Sequence, residues 1–216
     1  MTAATKTGQR RGQGARDRIL AAADRLFARQ GITSTGMEQV AEEAPVSKRT
    51  LYVHFRTKSE LVLAHLQALA SSGNTLEGVL TREDLPPRER ILRLFDLPAA
   101  GAEADAGAVR GCPFIDAAAE FPDPEDPIHV CAREQKLLMV RLVTALVTEL
   151  GCAGPAALAE QLVTLADGAA GRAMVLNDPD YGRHARAAAE ILLDRALADT
   201  GTGTGTGAKA DRPGRA

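Results

Sequence analysis

The chain has no tryptophan, only 3% aromatic residues and three cysteines among 216 residues. Cys112, Cys131 and Cys152 form no CxxC or Cys/His cluster, which argues against a zinc site and against a disulfide framework. Reduced thiols are typical of a cytoplasmic protein, and we expect that location. No apolar run approaches the roughly 18 residues of a membrane span. The first residues also lack the apolar segment of a secretory signal.

The alternation of apolar and polar residues that marks a half-buried strand is also lacking. Ala and Leu are abundant, and apolar residues recur at helical spacing between Gly and Pro residues. The sequence therefore predicts an all-α fold of about nine helices. Their expected ranges are 15–30, 35–43, 47–54, 57–69, 86–98, 113–121, 126–150, 155–176 and 180–199.

Three of the predicted helices have recognisable start signals. Thr35-x-x-Glu38 and Thr57-x-x-Glu60 have the spacing of capping boxes, and Ser47 is a typical N-cap residue. Three short N-terminal helices with a tight turn between the second and third predict a helix-turn-helix.

Charge is distributed unevenly along the chain. Residues 1–58 hold 11 Lys/Arg and 5 Asp/Glu, a balance of +6, whereas the remainder carries −8 and the whole chain −2. This asymmetry is expected if only the N-terminal part meets phosphate groups. The Gly-rich, basic residues 1–14 and the Thr-Gly repeats within 200–216 are predicted to be disordered. The N-terminal arm either follows DNA or is an unbound solubilising tail.

The third predicted helix has the surface of a recognition helix. If Leu51 and Phe55 point inward, then Lys48, Arg49 and Tyr52 point outward, with donors and cations and no acid among them. Base edges and phosphates are contacted by such groups. A basic solvated face is the alternative, and the preceding helix and turn favour DNA binding over it.

The stretch RDRILAAADRLFARQGITSTGMEQVAEEAPVSKRTLYVHFRTKSEL, from Arg16 to Leu61, resembles the N-terminal domain of the TetR family of transcription regulators. It contains the specific core AxVSxxTLYxHFxxKxxL. RGCPFIDAAAEFPDP, residues 110–124, resembles a segment of one branch of these regulators. The resemblance implies a DNA-binding domain at 15–58, followed by a helical ligand-binding and dimerisation domain at 59–199.

The resemblance also implies roles for individual residues. Lys48 and Arg49 are the candidates for reading base edges, and Arg geometry favours guanine. The other candidates flank them or contact the DNA backbone. The full set of implied DNA contacts is Thr35, Ser47, Lys48, Arg49, Thr50, Tyr52, His54 and Lys58. Leu51, Phe55, Phe27 and Val40 are expected in the core.

One residue departs from the family pattern. Pro45 stands where the family commonly has Gly, which permits positive φ. Proline fixes φ near −65° and disfavours the α region for the residue before it, Ala44. We therefore predict that the second helix ends by Glu43 and that Pro45 has negative φ in a turn of different local geometry.

The last two helices, at about 155–176 and 180–199, are implied to form a homodimer that binds palindromic double-stranded DNA, because one recognition helix reads too few bases. The alternative is that their apolar stripes complete the core of one chain. The stripes comprise Leu158, Leu162, Leu165, Ala169, Ala173 and Leu176 on one helix and Ala185, Ala188, Leu192 and Ala196 on the other.

The resemblance also implies a pocket for an unknown small-molecule effector among the middle helices. Its candidate lining residues, each of which is otherwise a core residue, are Phe95, Phe114, Phe121, His129 and Met139. The acidic balance of this domain favours a cationic or neutral apolar effector over an anion.

Together these patterns and the resemblance predict a sequence-specific transcription regulator with no cofactor and no membrane partner. The resemblance implies a repressor that an effector releases from its operator. One alternative is a helical small-molecule binding protein or enzyme with a vestigial DNA-binding unit. No Ser/His/Asp grouping, metal cluster or phosphate-binding Gly loop supports an enzyme. The second alternative is a non-specific architectural DNA binder, which would show a steep salt dependence without sequence preference.

Overall fold

The computed structural model describes the backbone of residues 4–71, 76–96, 109 and 111–201, and their side chains except at 4–13 and 200–201. Throughout these residues the regular structure is helical, as the sequence predicts. The helices are α1 (Ala4–Gln30), α2 (Met37–Glu43), α3 (Lys48–His54), α4 (Lys58–Ser71), α5 (Leu76–Leu80), α6 (Pro87–Leu92) with a 3₁₀ turn (Arg93–Phe95), α7 (Pro113–Glu120), α8 (Pro127–Glu149), α9 (Pro155–Leu176) and α10 (Tyr181–Gly201).

The first helix is longer than its apolar pattern predicts. α1 begins at Ala4 rather than near residue 15, so it includes residues 4–14, for which the sequence predicts disorder. Residues 4–14 include three glycines, which disfavour a helix, but extending a helix costs less than nucleating one, so the packed part of α1 can propagate toward the N-terminus. At the other end, α10 reaches Gly201, and the rest of the predicted tail lies outside the described residues.

The predicted capping box of the second helix is wrong. Gly36 is the N-cap of α2, and its amide donates to Gln39 Oε1 at 2.8 Å. Thr35 is buried, and its hydroxyl donates to the Gly31 carbonyl at 2.7 Å. Thr35 therefore satisfies a carbonyl at the end of α1 instead of an amide at the start of α2, because its side chain is turned into the core.

The other two start signals are confirmed for the capping hydroxyls. Ser47 Oγ accepts from the Thr50 amide at 3.1 Å at the start of α3. Thr57 Oγ1 accepts from the Glu60 amide, also at 3.1 Å, at the start of α4. The Glu60 carboxylate reaches the Arg56 amide at 2.8 Å, one residue before the position that a capping box would use.

The turn between α2 and α3 corrects the prediction for Pro45, whose φ is +24°. α2 does end at Glu43, and Ala44, with φ −85° and ψ 6°, lies outside the helix as predicted. The Val46 amide donates to the Ala41 carbonyl at 3.0 Å. This is the outer hydrogen bond of a Schellman motif, which needs positive φ at the residue where Pro45 stands. The turn therefore has the hydrogen bond of a Schellman motif with a strained proline at the position that Gly usually occupies.

The later helices match their predicted ranges closely, with two differences. α5 was not predicted, because its five residues are too short for a periodic pattern. In α10 the most deeply buried row is Ala185, Ala189 and Leu193, so the predicted stripe is shifted by one residue after Ala185.

Two hydrophobic cores organise the described residues. The head core joins buried side chains of α1–α4 with Phe114 and Ala117 of α7 and Ile128 and Ala132 of α8. The body core is formed by α5, α6 with its 3₁₀ turn, the second half of α8 from Met139 onward, α9 and α10. α8 therefore runs through both cores and connects them. Among the helices that the structure describes, none is long and apolar enough to cross a membrane.

Candidate nucleic-acid interface

Helix α3 is fixed to the head core by two side chains. Leu51 is 0% exposed and Phe55, the C-cap, is 3% exposed, as predicted. The guanidinium of Arg16 on α1 lies 5.4 Å from the centre of the Phe55 ring. These contacts leave the opposite face of α3 in solvent on a rigid support, as a reading helix requires.

The outward face of α3 carries the residues expected to meet DNA. Lys48 and Arg49 are exposed in its first turn, and Tyr52 and Val53 follow with 47% and 72% exposure. None of its seven residues is acidic. The face combines cations and hydroxyls with an exposed Val methyl pair, which can contact the methyl group of thymine.

Lys48 has a neighbour that the sequence did not reveal. Its ammonium lies 2.5 Å from Glu38 Oε1 on α2, and both side chains are more than half exposed. The hydrogen bond to Glu38 raises the pKa of Lys48 above its usual value. Lys48, a candidate for reading bases, thus forms an ion pair within the chain, and DNA must compete with Glu38 for its ammonium group.

Lys58 begins α4 close to the turn between α1 and α2. It is half-buried, and its ammonium donates to the Thr33 carbonyl at 2.9 Å. Burial lowers the pKa of Lys58, partly offset by the charge of Glu120. An ammonium has three N–H donors, so this bond leaves capacity for a phosphate oxygen.

This geometry has counterparts among known proteins. The profile of bacterial regulatory proteins, tetR family, matches residues 19–65. The structure also matches that of a protein described as a TetR transcriptional regulator (sav143) from Streptomyces avermitilis MA-4680. The match covers 84% of this chain and 97% of that protein, with a TM-score of 0.71 and 31% identity. The chain belongs to the TetR family.

Two curated relatives agree with this assignment. The HTH-type transcriptional regulator YjdC of Escherichia coli K12 is 28% identical over 160 residues, 74% of this chain and 83% of YjdC. The HTH-type transcriptional repressor NicS of Pseudomonas putida KT2440 is 37% identical over 90 residues, 41% of this chain and 42% of NicS. The TetR-family members that the chain matches are thus regulators of transcription.

The TetR-type head brings seven of the eight predicted contact residues to its surface. Thr35 is the exception and corrects the prediction of an accessible side chain, because Thr35 is 1% exposed and its hydroxyl donates to the Gly31 carbonyl. The other seven are exposed or half-exposed and lie on α3, at its N-cap or at the first residue of α4: Ser47, Lys48, Arg49, Thr50, Tyr52, His54 and Lys58. Their contacts with DNA stay predictions.

The predicted effector-pocket residues are divided between the two cores. Phe95 and Met139 are buried in the body core, whereas Phe114 and Phe121 pack in the head core. His129 bonds through Nδ1 to the Phe121 carbonyl at 2.8 Å. In this conformation all five therefore serve packing or local structure, and contact with an effector stays a prediction.

An apolar groove of about 450 Å³ lies elsewhere, on the second half of α9. The residues of this groove are not among those that the sequence predicts to line a pocket. The lining residues are Gly168, Gly171, Arg172, Met174, Val175 and Leu176. Val175 and Leu176 are 76% and 51% exposed, and Ile191 on α10 is 69% exposed. Large apolar side chains in solvent are typical of a surface that another molecule covers.

The apolar stripes predicted on the last two helices serve mainly the core of one chain. Leu158, Leu162 and Ala169 are at most 5% exposed within the body core, and Ala173 is also buried in the single chain. The alternative reading of these stripes is therefore confirmed for these residues. A dimer surface on α9 and α10 must use their other faces.

Glu120, the last residue of α7, is a residue of the interface between α7 and the turn at 31–33 that no sequence pattern predicted. Its carboxylate accepts hydrogen bonds from the amides of Ile32 and Thr33, in the turn between α1 and α2. The partners are 87 and 88 positions apart in the sequence, beyond the reach of any local pattern. Only its place within the noted segment 110–124 distinguished it beforehand.

Proposed function

We propose that this TetR-family protein is a homodimeric, sequence-specific repressor that leaves its operator when a small-molecule effector binds. The observation that carries this proposal is α3, an acid-free helix held on Leu51 and Phe55 with Lys48 and Arg49 exposed at its N-terminal end. Recognition helices present base-reading residues at that end. We propose 15–58 as the DNA-binding domain and 59–199 as the ligand-binding and dimerisation domain.

In this proposal, Arg49 and Lys48 enter the major groove and read base edges. The long, exposed side chain of Arg49 suits bidentate binding to guanine, whereas Lys48 acts as a point charge. Residues around them bind phosphates and fix the register of α3 on the duplex. Lys58, Tyr52 and His54 are the proposed phosphate contacts.

Selection of bound DNA from a random pool tests the proposal directly. We expect a palindrome whose half-sites lie about one helical turn apart. Arg49→Ala should relax the preference at one position in each half-site, at about 1–3 kcal/mol per half-site. Arg82→Ala, which removes the same charge from the loop after α5, is the matched control and should leave the preference unchanged. Recovery of unrelated sequences with a steep salt dependence would favour the architectural alternative.

For the dimer, we propose an interface on the outer faces of α9 and α10. Support comes from the exposed Val175, Leu176 and Ile191 together with Gly168 and Gly171, which let a second helix approach closely. A twofold axis through this surface would present two recognition helices to one operator.

Light scattering at micromolar concentration tests the interface. The wild-type chain should be a dimer, and the double substitution Val175→Asp with Ile191→Asp should give monomers that bind a single half-site only weakly. Ile115→Asp on α7, where the side chain is 40% exposed, is the control and should stay dimeric. A wild-type monomer would contradict the proposal.

Effector control is supported by the shared head core. Because Phe114 of α7 and Ile128 of α8 fill space among α1–α4, an effector that shifts α7 or α8 must repack the head core. Screening neutral and cationic apolar compounds should yield one that raises the Tm and lowers operator affinity. The operator must then lower the affinity for that compound by the same factor. A compound that raises the Tm without changing operator affinity would not be an effector.

The repressor assignment is tested in cells. Repression needs only occupation of a promoter, so deletion of the gene should raise transcription from promoters that contain the selected operator. A fall in transcription would identify an activator instead. NicS shows that a repressor exists among the relatives that the chain matches.

A further inference from the structure

The turn that precedes α2 is hydrogen-bonded to the end of α7 through one side chain, Glu120. Glu120 Oε1 accepts from the Ile32 amide at 2.8 Å, and Oε2 accepts from the Thr33 amide. Both oxygens of one carboxylate thus bind successive backbone amides in the head. Charge-assisted hydrogen bonds of this kind are stronger than those between neutral groups.

The backbone of the turn comes unusually close to this carboxylate. Gly31 has φ +85°, and a Cβ on it would lie 3.2 Å from Glu120 Oε1. A side chain at this position would therefore need a strained backbone and would also push the carboxylate away. Gly31 both ends α1 and leaves room for Glu120 to approach.

A third element completes the arrangement. Lys58, at the start of α4, donates to the Thr33 carbonyl at 2.9 Å, so Thr33 is held on one side by its amide and on the other by its carbonyl. Burial would raise the pKa of Glu120, but the hydrogen bonds from Thr33 and Ile32 and the charge of Lys58 outweigh it and lower that pKa. Glu120 is thus ionised at neutral pH and keeps both bonds.

These contacts link the end of α7, through the turn at 31–33 and α2, to the recognition helix α3. The turn at 31–33 leads directly into α2, and α2 connects through the Pro45 turn to α3. Apolar packing of Phe114 and Ala117 joins α7 to the head, but such packing has no fixed direction. Two hydrogen bonds from one carboxylate specify direction as well as distance, and so limit rotation of the head about its apolar contacts.

We propose that Glu120 is a positioning residue for DNA binding, which fixes the head to the end of α7 and thereby sets the spacing of the two recognition helices. This inference rests on the proposed dimeric DNA binding. Glu120 itself does not contact DNA in this proposal, and Glu120 does not contribute to the affinity for a single half-site. Its effect is on the choice between operators that differ only in the distance between half-sites.

The test compares the full-length wild type with Glu120→Gln and Glu120→Asp. Gln keeps an acceptor but loses the charge and gives an N–H where an acceptor is needed, whereas Asp keeps the charge on a shorter side chain. Glu125→Gln, an exposed position in the loop after α7, is the control for loss of one negative charge. Affinity is measured for the selected operator, for the same operator lengthened or shortened by one base pair, and for a single half-site.

We expect the wild type and Glu125→Gln to prefer the selected spacing. Both Glu120 variants should lose about fivefold or more of this preference, the range of ordinary coupling between sites, with half-site affinity unchanged. The amide resonances of Ile32 and Thr33 should move upfield in Glu120→Gln. Unchanged spacing preference in Glu120→Gln would overturn the inference, as would an equal loss of affinity for every DNA, which indicates a general defect in folding.

The two proposals fail in different ways. If the wild type binds no palindrome, the proposed function fails, and the spacing role fails with it. If the wild type prefers one spacing and the Glu120 variants do so equally, only the role of Glu120 fails.

Discussion

The head core and the body core are built from different residues and depend on each other unequally. Four of the five phenylalanines, Phe27, Phe55, Phe114 and Phe121, belong to the head core, and Phe95 alone to the body core. The body core packs mainly Ala, Leu and Val side chains, whereas the head core combines such side chains with four large rings. Moreover, the head core includes residues of α7 and α8, whereas the body core includes none from α1–α4. We therefore expect the stability of the head core to depend on α7 and α8, and the stability of the body core not to depend on α1–α4.

Matched substitutions of phenylalanine should give the largest difference in behaviour between the two cores. Phe114→Ala and Phe95→Ala should each lower the free energy of unfolding by about 3–5 kcal/mol, through lost burial and a new cavity. In Phe114→Ala, amide hydrogen exchange should accelerate in α3 and α4, although the substitution is in α7. In Phe95→Ala, exchange should accelerate in the body first. Slow exchange in the head of Phe114→Ala would show that the head core is self-sufficient.

The strained turn of the head offers the next largest effect. Pro45→Gly should raise the free energy of unfolding by about 1–2 kcal/mol, because Gly adopts positive φ without strain and its amide can donate to the Glu42 carbonyl in the Schellman motif. Added freedom of the unfolded chain offsets part of this gain. Pro45→Ala restores only the amide, so its free energy of unfolding, measured with denaturant, should lie between those of the wild type and Pro45→Gly. Destabilisation by Gly would show that the proline turn is unstrained.

A smaller effect is expected from pH, again in the head. His65 on α4 is 4% exposed, packs edge-on against Phe27 with ring centres 5.2 Å apart, and lies 3.9 Å from Asp24 Oδ1. Burial lowers the pKa of His65, and the charge of Asp24 only partly opposes this. As the pH falls below about 6.5, the ordinary value for His, the unfolded chain takes up the proton first, so stability is lost on the acid side.

Thermal unfolding between pH 7 and pH 5 measures this loss. His65→Gln removes the titrating group, so its Tm should fall less steeply with pH, although its stability at pH 7 is lower. Asp24→Asn removes the opposing charge and should make the fall steeper than in the wild type. Identical pH slopes in all three proteins would contradict a role for His65.

The smallest expected effect concerns the ion pair at the reading surface. Glu38→Gln frees Lys48 from its partner and should raise operator affinity and steepen its dependence on salt concentration. Glu43→Gln removes the same charge from the same helix, but its partner is Arg25, at 2.9 Å. Because both variants lose one negative charge near DNA, only a larger gain in Glu38→Gln supports release of Lys48. Equal gains would reflect general electrostatics.

Local signals predicted the helices well and their contacts less well. Ser47 and Thr57 cap helices as predicted because capping depends on residues three apart. Thr35 has the same local signature but is buried, since the end of α1 offered its hydroxyl a carbonyl in the core. In the same way, the ring of Pro45 favours negative φ, and the hydrogen bond across the turn decides otherwise.

By itself, the sequence determined the all-helical fold, the family and the outward face of α3, because periodicity and the motif AxVSxxTLYxHFxxKxxL span residues that are close in the chain. Tertiary structure alone decided which surfaces meet. It placed Glu120 on the amides of Ile32 and Thr33, put Phe114 into the head core and paired Lys48 with Glu38. The physical reason is that these contacts depend on how helices pack, and side chains far apart in the chain leave no mark in its local pattern.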